Sequence, residues 1–525
     1  MANETARIRE ARTLQEANER LHTLVDADRR VLSRKQTIGY MIFDGSRDFN
    51  IDKHKDLFLN SILKVDFDLQ ARANVIGGVW DIVDDFIVGS IMEKSRTRWG
   101  KFIPFIGIGG VSYAVISIVF WLLPLFFTAA QNNDFGFMPK YYCYLLFSLA
   151  LEFAGNIRNV AIDGYISTVT PYPSDRRRLL AISGYFYNIY SRLPDLAMEF
   201  LLDGVKKEII RLGNRTKEEM IRLFFFTLGP VTMVLTAAAF LWYTTVAKER
   251  VHQKIERPRV IDSLRIVFRY KPVLLFMISN ALGSLGTGLS TNDYYRQVLD
   301  WTTFETFAGI PSFFFQPIGY ANYNKLAARF STKSLYMIGQ VAAKTFYIPL
   351  FFYGMFLKDK KGDRLFTNAW AMLPVTALWE IIYATFWGVR SISINEMRNE
   401  CNDYLEWKCG CRSEATFAAA SAFITKVPAR INAIFQPYYQ KWTDYDQEAY
   451  THDDRYQPER AQKWIFAMAT LIPALIVLVS MIPIFWFDID KATRNKMYME
   501  LNERRAAAAE RIRREADGEA PEETE

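Results

Sequence analysis

Long apolar runs separated by short charged stretches dominate this chain. Three of the runs carry no charge: IPFIGIGGVSYAVISIVFWLLPLFFTAA (Ile103–Ala130), FFFTLGPVTMVLTAAAFLWYTTV (Phe224–Val246) and IFAMATLIPALIVLVSMIPIFWF (Ile465–Phe487). Each is long enough to cross about 30 Å of hydrocarbon as a helix. Further runs are interrupted by polar residues, and the pattern predicts twelve spans, at 36–62, 70–93, 103–128, 141–170, 178–204, 222–247, 271–298, 303–322, 334–357, 367–395, 414–440 and 463–488. The first is crowded by Asp48, Asp52, Lys53, His54, Lys55 and Asp56, and the fifth carries Arg192, Asp195 and Glu199. The fold class that follows is an all-α membrane protein with twelve transmembrane helices.

Two loops six spans apart suggest that the twelve form two six-helix halves. Gly89–Lys101 follows the second span and Gly319–Lys333 the eighth; each begins with a glycine, then runs as a short basic loop into the next helix. Parallel repeats of this kind are the architecture of many carriers, with a central site between them. The expected organisation is an amphipathic N-terminal helix (1–35), a first bundle (36–247), a central loop (248–270), a second bundle (271–488) and a charged tail (489–525). Cations cluster after the even-numbered spans, so the positive-inside tendency places those loops and both termini in the cytoplasm. The basic loops at 205–221 and 358–364 run against the rule.

Composition changes this picture little. The net charge of +7 at pH 7 reads as cationic cytoplasmic loops, since no nucleic-acid-binding motif accompanies it. Four cysteines give no disulfide framework, and Cys409-Gly-Cys411 lacks the second pair or nearby histidine of a zinc site. No Gly-x-x-x-x-Gly-Lys phosphate loop and no nucleophile–base pair is present, which argues against ATP drive and against an enzyme.

The chemistry lies in acids placed inside the apolar runs. In WDIVDDFIVGSIMEKSRTRWGKFIPF (Trp80–Phe105), Asp81 and Asp85 share a helix face, with Asp84 beside them. A charge in mid-membrane costs about 3 kcal/mol and is by default a candidate for function. Two facing carboxylates repel unless Na⁺ lies between them or one is protonated, and either solution makes a cation site. Salt bridges to helix-end Arg or Lys are the structural alternative. Asp163 is a third buried acid. Arg158, five residues earlier, points well off its face, whereas Asn159 shares it.

The Trp80–Phe105 stretch closely resembles the signature of the glycoside–pentoside–hexuronide:cation symporter family of the major facilitator superfamily. Trp80, Asp81, Asp85, Arg96, Arg98, Trp99, Gly100 and Lys101 match it, while Asp84 stands where Asn is usual and Phe86 where Pro is usual. Gly89-x-x-x-Glu93-Lys94 resembles the superfamily's loop signature with Glu for Asp. The likeness continues through Ile38–Ile51, Ala161–Arg178, Ala384–Glu396 and Asn402–Ile431. It implies the major facilitator fold and cation-coupled symport of a sugar or glycoside in the cell membrane.

Carried over residue by residue, the resemblance puts the cation on Asp81, Asp85 and Asp163. It puts the sugar on Asp44, Asp163, Trp387 and Lys426. The family's helix-five arginine falls near Tyr187 or Asn188, and Arg192, about a turn on, is the candidate substitute. Glu93, Arg96 and Arg98 are expected to secure the closed cytoplasmic loop, or to serve only as topogenic charges. The expected partners are a small sugar or glycoside, Na⁺, Li⁺ or H⁺ as coupling ion, and membrane lipid, with no other cofactor, no nucleic acid and a monomeric state. A carrier of lysolipids or other amphiphiles and a transporter-like receptor are the competing readings.

Overall fold

A computed structural model of the chain describes residues 32–94, 97, 99–166, 169–170, 173–249, 265, 268–287, 293–409, 414–451, 456–489 and scattered positions to 503. Most of the N-terminal segment, the central loop and the charged tail lie outside the described residues. Within them the protein is helical, and each of the twelve apolar runs is a helical passage. In the first half these are α1 (Arg34–Ser46, resuming as Lys55–Leu57 and Phe58–Ile62), α2 (Phe67–Lys94), α3 (Ile103–Trp121), α4 (Met138–Ile166), α5 (Pro173–Tyr190 and Leu193–Lys206) and α6 (Lys217–Val246). In the second they are α7 (Lys271–Thr287), α8 (Phe304–Gly309 and Gln316–Arg329), α9 (Thr332–Thr345 and Tyr347–Phe356), α10 (Ala369–Cys409), α11 (Glu414–Trp442) and α12 (Glu459–Ala469, Leu471–Ser480 and Ile482–Phe485). Six of the continuous stretches are long and apolar enough to cross a membrane.

Local chemistry sets the ends and the breaks. Ser33 opens α1 and Thr216 opens α6, each by a capping box in which the side chain accepts from the third residue's N–H and that residue's side chain answers the cap. α1 breaks after Ser46, where Asp48, Asn50 and Asp52 supply side-chain competitors for backbone hydrogen bonds; Asn50 Oδ1 accepts from the Asp52 N–H at 2.9 Å. α5 breaks before Pro194, which starts its second piece. Both breaks fall in the two spans that polar residues crowd.

The chain divides into two compact units, Met1–Ile255 with Gln447–Arg455, and Glu256–Asp446 with Tyr456–Glu525. The α11–α12 connection thus gives a short segment to the first unit. Tyr450 is buried in that unit's core, Glu448 lies 3.0 Å from the Lys64 ammonium, and Ser61 Oγ donates to the Gln447 carbonyl at 2.7 Å. The two units pair their helices alike. In the first, α3 packs on α4 and α6, α1 on α5 and α6, and α2 on α4; in the second, α9 packs on α10 and α12, α7 on α11 and α12, and α8 on α10. Large apolar side chains such as Ile108 and Val115 of α3 and Val234 and Leu241 of α6 stay exposed, as lipid-facing positions do.

Candidate functional site

Asp84 of α2 faces α4. Asp84 is completely buried and its Oδ1 accepts a hydrogen bond from Asn156 Nδ2 of α4 at 3.1 Å. Asp81, one turn earlier, is 9% exposed. Trp80 approaches Phe153 of α4 with ring centroids 6.3 Å apart, closing the same seam. The side chains of Asp85, Asp163 and Glu93, and residues Arg96 and Arg98, lie outside the described residues.

A second polar region surrounds the break in α1. Asp44, half-buried, sits beside Arg47 and Ser183 of α5. Asp48 accepts from the Tyr187 hydroxyl of α5 at 2.5 Å, and the Arg47 guanidinium lies 5.4 Å from the Tyr187 ring centroid. Asp52 accepts from the Tyr113 hydroxyl of α3 at 3.2 Å, and Lys53 pairs with buried Glu199 of α5 at 2.7 Å. Arg158 of α4 is buried and lies 4.3 Å from the Tyr113 ring centroid. Its Nη1 donates to the Arg47 carbonyl at 3.1 Å, and its Nε donates to Asn159 Oδ1 at 3.3 Å. Arg192 is exposed at the break of α5.

Asp44 therefore belongs to a denser network than the sequence reading drew. Asp48, Asp52, Tyr113 and Arg158 join it, and the crowding of charge across 47–56 was the signal that could have found the first two. Tyr187, one of the two residues near which the resemblance places an arginine, supplies a hydroxyl to Asp48.

In the second half Trp387 lies on a ladder of rings. Tyr347 of α9 stacks on Trp379 of α10 at 4.0 Å, Trp379 on Tyr383 at 5.1 Å, and Tyr383 leads to Trp387 at 5.5 Å. The four-residue spacing on α10 puts the last three rings on one face. Arg390 lies 5.3 Å from the Trp387 centroid, donates from Nε to Gln340 Oε1 of α9 at 2.9 Å, and reaches the Tyr383 hydroxyl at 3.5 Å. Lys344 of α9, one turn past Gln340, lies 5.0 Å from the Tyr347 centroid. Lys426 is half-buried on α11. Sequence reasoning singled out Trp387 alone here; the four-residue spacings of Trp379, Tyr383 and Trp387, and of Gln340 and Lys344, carried the rest.

The basic loop before α3 has its own construction. Lys101, Phe102 and Ile103 donate their N–H groups to the Glu249 carboxylate at 2.8, 2.7 and 3.0 Å. A carboxylate there meets the free donors and positive pole of the helix start. Gly100 permits it: its φ is +115°, and a Cβ would stand 2.5 Å from the Glu249 carboxyl carbon.

Known proteins carry the same pattern. Residues 37–491 match the MFS/sugar transport protein family. A glucuronide carrier protein homolog of Escherichia coli (strain K12) is 22% identical over 436 residues, covering 81% of this chain and 86% of its own. An uncharacterized symporter of Synechocystis sp. is 24% identical over 225 residues, 42% of this chain and 36% of its own. Among solved structures, the nucleoside transporter NupG has a TM-score of 0.51 at 13% identity, covering 86% of this chain and 98% of that one. An inward-facing, unoccupied bacterial homolog of the human lysosomal transporter Spinster has 0.52 at 12%, covering 89% and 96%. The structural likenesses show the fold alone. With the family match spanning nearly all the described helices, this chain belongs to the MFS/sugar transport protein family.

Proposed function

We propose that this protein is a secondary active transporter of the cell membrane, moving a sugar or glycoside together with Na⁺, Li⁺ or H⁺ by alternating access. The observation that carries the coupling is the seam between α2 and α4, where Asp84 is wholly buried and Asp81 nearly so. Carboxylates held at that depth need a compensating positive charge or proton. Asp81, Asp85 and Asp163 are the proposed cation ligands, and Asp44, Asp163, Arg192, Trp387 and Lys426 the proposed sugar contacts. Both termini are placed in the cytoplasm, with Glu93, Arg96 and Arg98 securing the inner loop, in a monomer.

Cation binding at the α2 acids neutralises them and ties α2 to α4, which raises solute affinity; by linkage the solute tightens the cation equally. Family membership supports the solute class, and the buried acids support the coupling. The test is the melting of the purified protein in Na⁺, Li⁺ or K⁺ across pH, beside Asp81→Asn and Asp85→Asn. A Na⁺- or Li⁺-specific rise that the variants lose supports ion coupling, and a pH effect that they lose supports proton coupling. Melting indifferent to both in the wild type overturns the coupled mechanism. A rise with a lysolipid but with no sugar replaces the solute.

A further inference from the structure

From the seating of the α11–α12 connection we infer that Gln447–Tyr450 is a latch on the outer face, which leaves its seat each time the carrier opens outward. This rests on the alternating-access reading above and adds a device that controls it. The connection lies on the face opposite the chain termini, as do the α1–α2 turn and the end of α5 that receive it. The first unit holds the tip of the latch. Ser61 Oγ donates to the Gln447 carbonyl at 2.7 Å, and Gln447 Nε2 donates to the Val65 carbonyl at 3.0 Å. Glu448 pairs with the buried Lys64 ammonium at 3.0 Å, and the buried Tyr450 ring has the Lys206 ammonium 4.7 Å from its centroid. The second unit holds the base. The buried Gln457 amide accepts from the Asp446 N–H at 3.0 Å and donates to the Asp446 carbonyl at 2.7 Å and to Gln297 Oε1 at 3.2 Å.

Asp446 and Gln447 are neighbours in the chain, so a single Cα step of about 3.8 Å joins base to tip and leaves no slack. Separation of the outer ends of the halves beyond hydrogen-bond reach therefore breaks the Gln447 bonds. The seat is built to survive that release. Lys64 also has Asn133 Oδ1 at 3.1 Å and Glu218 at 3.4 Å, so the departure of Glu448 leaves the buried ammonium with a counter-charge. Lys140, also buried, fixes the shape of the seat by donating to the carbonyls of Lys64, Asn132 and Asp134 at 2.8, 3.1 and 2.9 Å. One ring, one ion pair and a few neutral hydrogen bonds bias the equilibrium toward closure yet remain reversible.

The experiment reads outer opening directly and needs no solute. Nitroxides on Leu125→Cys and Lys358→Cys, exposed at the outer ends of α3 and α9, report the distance between the halves by pulsed electron resonance. The full-length protein is used, with its four native cysteines changed to alanine. The expected result is a longer-distance population that rises about tenfold over the shorter one in Glu448→Gln, the worth of a charge-assisted bond. It should rise further when Tyr450→Ala is added and less in Ser61→Ala, with helicity unchanged in all. Asp444→Asn, in the same connection but paired with Arg460 of α12, should leave the distances alone. Wild-type distances in the Glu448→Gln, Tyr450→Ala double variant overturn the latch, and so does an equal shift in Asp444→Asn. Uptake of D-glucose and D-glucuronate into proteoliposomes under Na⁺ or H⁺ gradients separates the latch from the reading it rests on. Uptake with unmoved distances keeps the transporter and discards the latch, whereas shifted distances without uptake of either probe keep the latch and discard the sugar symporter.

Discussion

The two halves cross their third and fourth helices over the same device and put it to different chemical use. In the first half a Cβ on Gly109 of α3 would stand 2.8 Å from the Arg158 backbone nitrogen of α4; in the second, one on Gly339 of α9 would stand 2.8 Å from the Arg390 Cα of α10. Glycine and arginine lie at matching depths in the corresponding helices, so each arginine leaves the backbone at the point of closest approach. Arg158 then meets an acid-rich neighbourhood, bonding the Arg47 carbonyl and covering the tyrosine that binds Asp52. Arg390 meets an amide, a phenol and an indole. One geometry therefore sets a cation beside the tyrosine that binds Asp52 in one half and beside an amide, a phenol and an indole in the other.

The sharpest way to break that comparison is to fill the crossings. Gly109→Val and Gly339→Val each force a branched side chain into backbone contact, and overpacking of this kind costs about 1–3 kcal/mol. Both variants should lose several degrees of melting temperature in detergent. If either melts like the wild type, the crossings are looser than drawn and the equivalence of the two arginines fails.

A smaller effect separates the arginines themselves. Arg158→Gln removes the donor to the Arg47 carbonyl and a positive charge that acts on Asp52, a loss of about 2 kcal/mol for buried groups. Arg390→Gln loses bonds to neutral groups from a half-buried side chain, whereas Arg158 is buried, so it should cost less stability. Melting of the two variants side by side makes the comparison. Equal loss of stability in both would make Arg390 as structural as Arg158.

Much of this was legible in the sequence. The twelve apolar runs became the twelve helical passages, because in hydrocarbon every backbone polar group must be met within the segment. Both spans crowded with charge are among those that break, Asp48, Asn50 and Asp52 competing for backbone hydrogen bonds in one and Pro194 opening a new helix in the other. Helical phase alone turned Arg158 away from the Asp163 face, and its guanidinium bonds Asn159 and the Arg47 carbonyl. What was hidden depends on which helices meet. Nothing in a linear pattern says that Tyr113 of α3 will find Asp52 of α1, or that Gln340 of α9 will hold Arg390 of α10. The second pairing is made at the close crossing that Gly339, next to Gln340, permits, and its partner Arg390 lies 50 residues on.

A milder probe of the first region is Tyr187→Phe. It deletes the hydroxyl that donates to Asp48 and keeps the ring beneath Arg47. The expected cost is about 1 kcal/mol, a several-fold weakening of whichever solute or cation uses that carboxylate. The matching change, Tyr383→Phe, removes a 3.5 Å contact to Arg390 and should cost less stability than Tyr187→Phe. A larger effect at Tyr383 than at Tyr187 would reverse the assignment of acid chemistry to the first half and cation chemistry to the second.

The smallest effect concerns the loop before α3, where no counterpart in the second half is described. Glu249→Gln keeps one carbonyl oxygen for the N–H groups of Lys101, Phe102 and Ile103 but removes the charge that meets the helix pole. Charge at a helix start is worth about 0.3–1 kcal/mol at low ionic strength and is screened by salt. The variant's deficit in melting temperature should therefore shrink as salt is raised, while that of Gly100→Ala, which places a Cβ against the carboxylate at a φ of +115°, should not. Because the Gly100 clash is steric and the Glu249 contribution electrostatic, salt distinguishes them even where the two deficits are equal in size. A salt-independent loss in Glu249→Gln would mean that the carboxylate acts there by shape and hydrogen bonding alone.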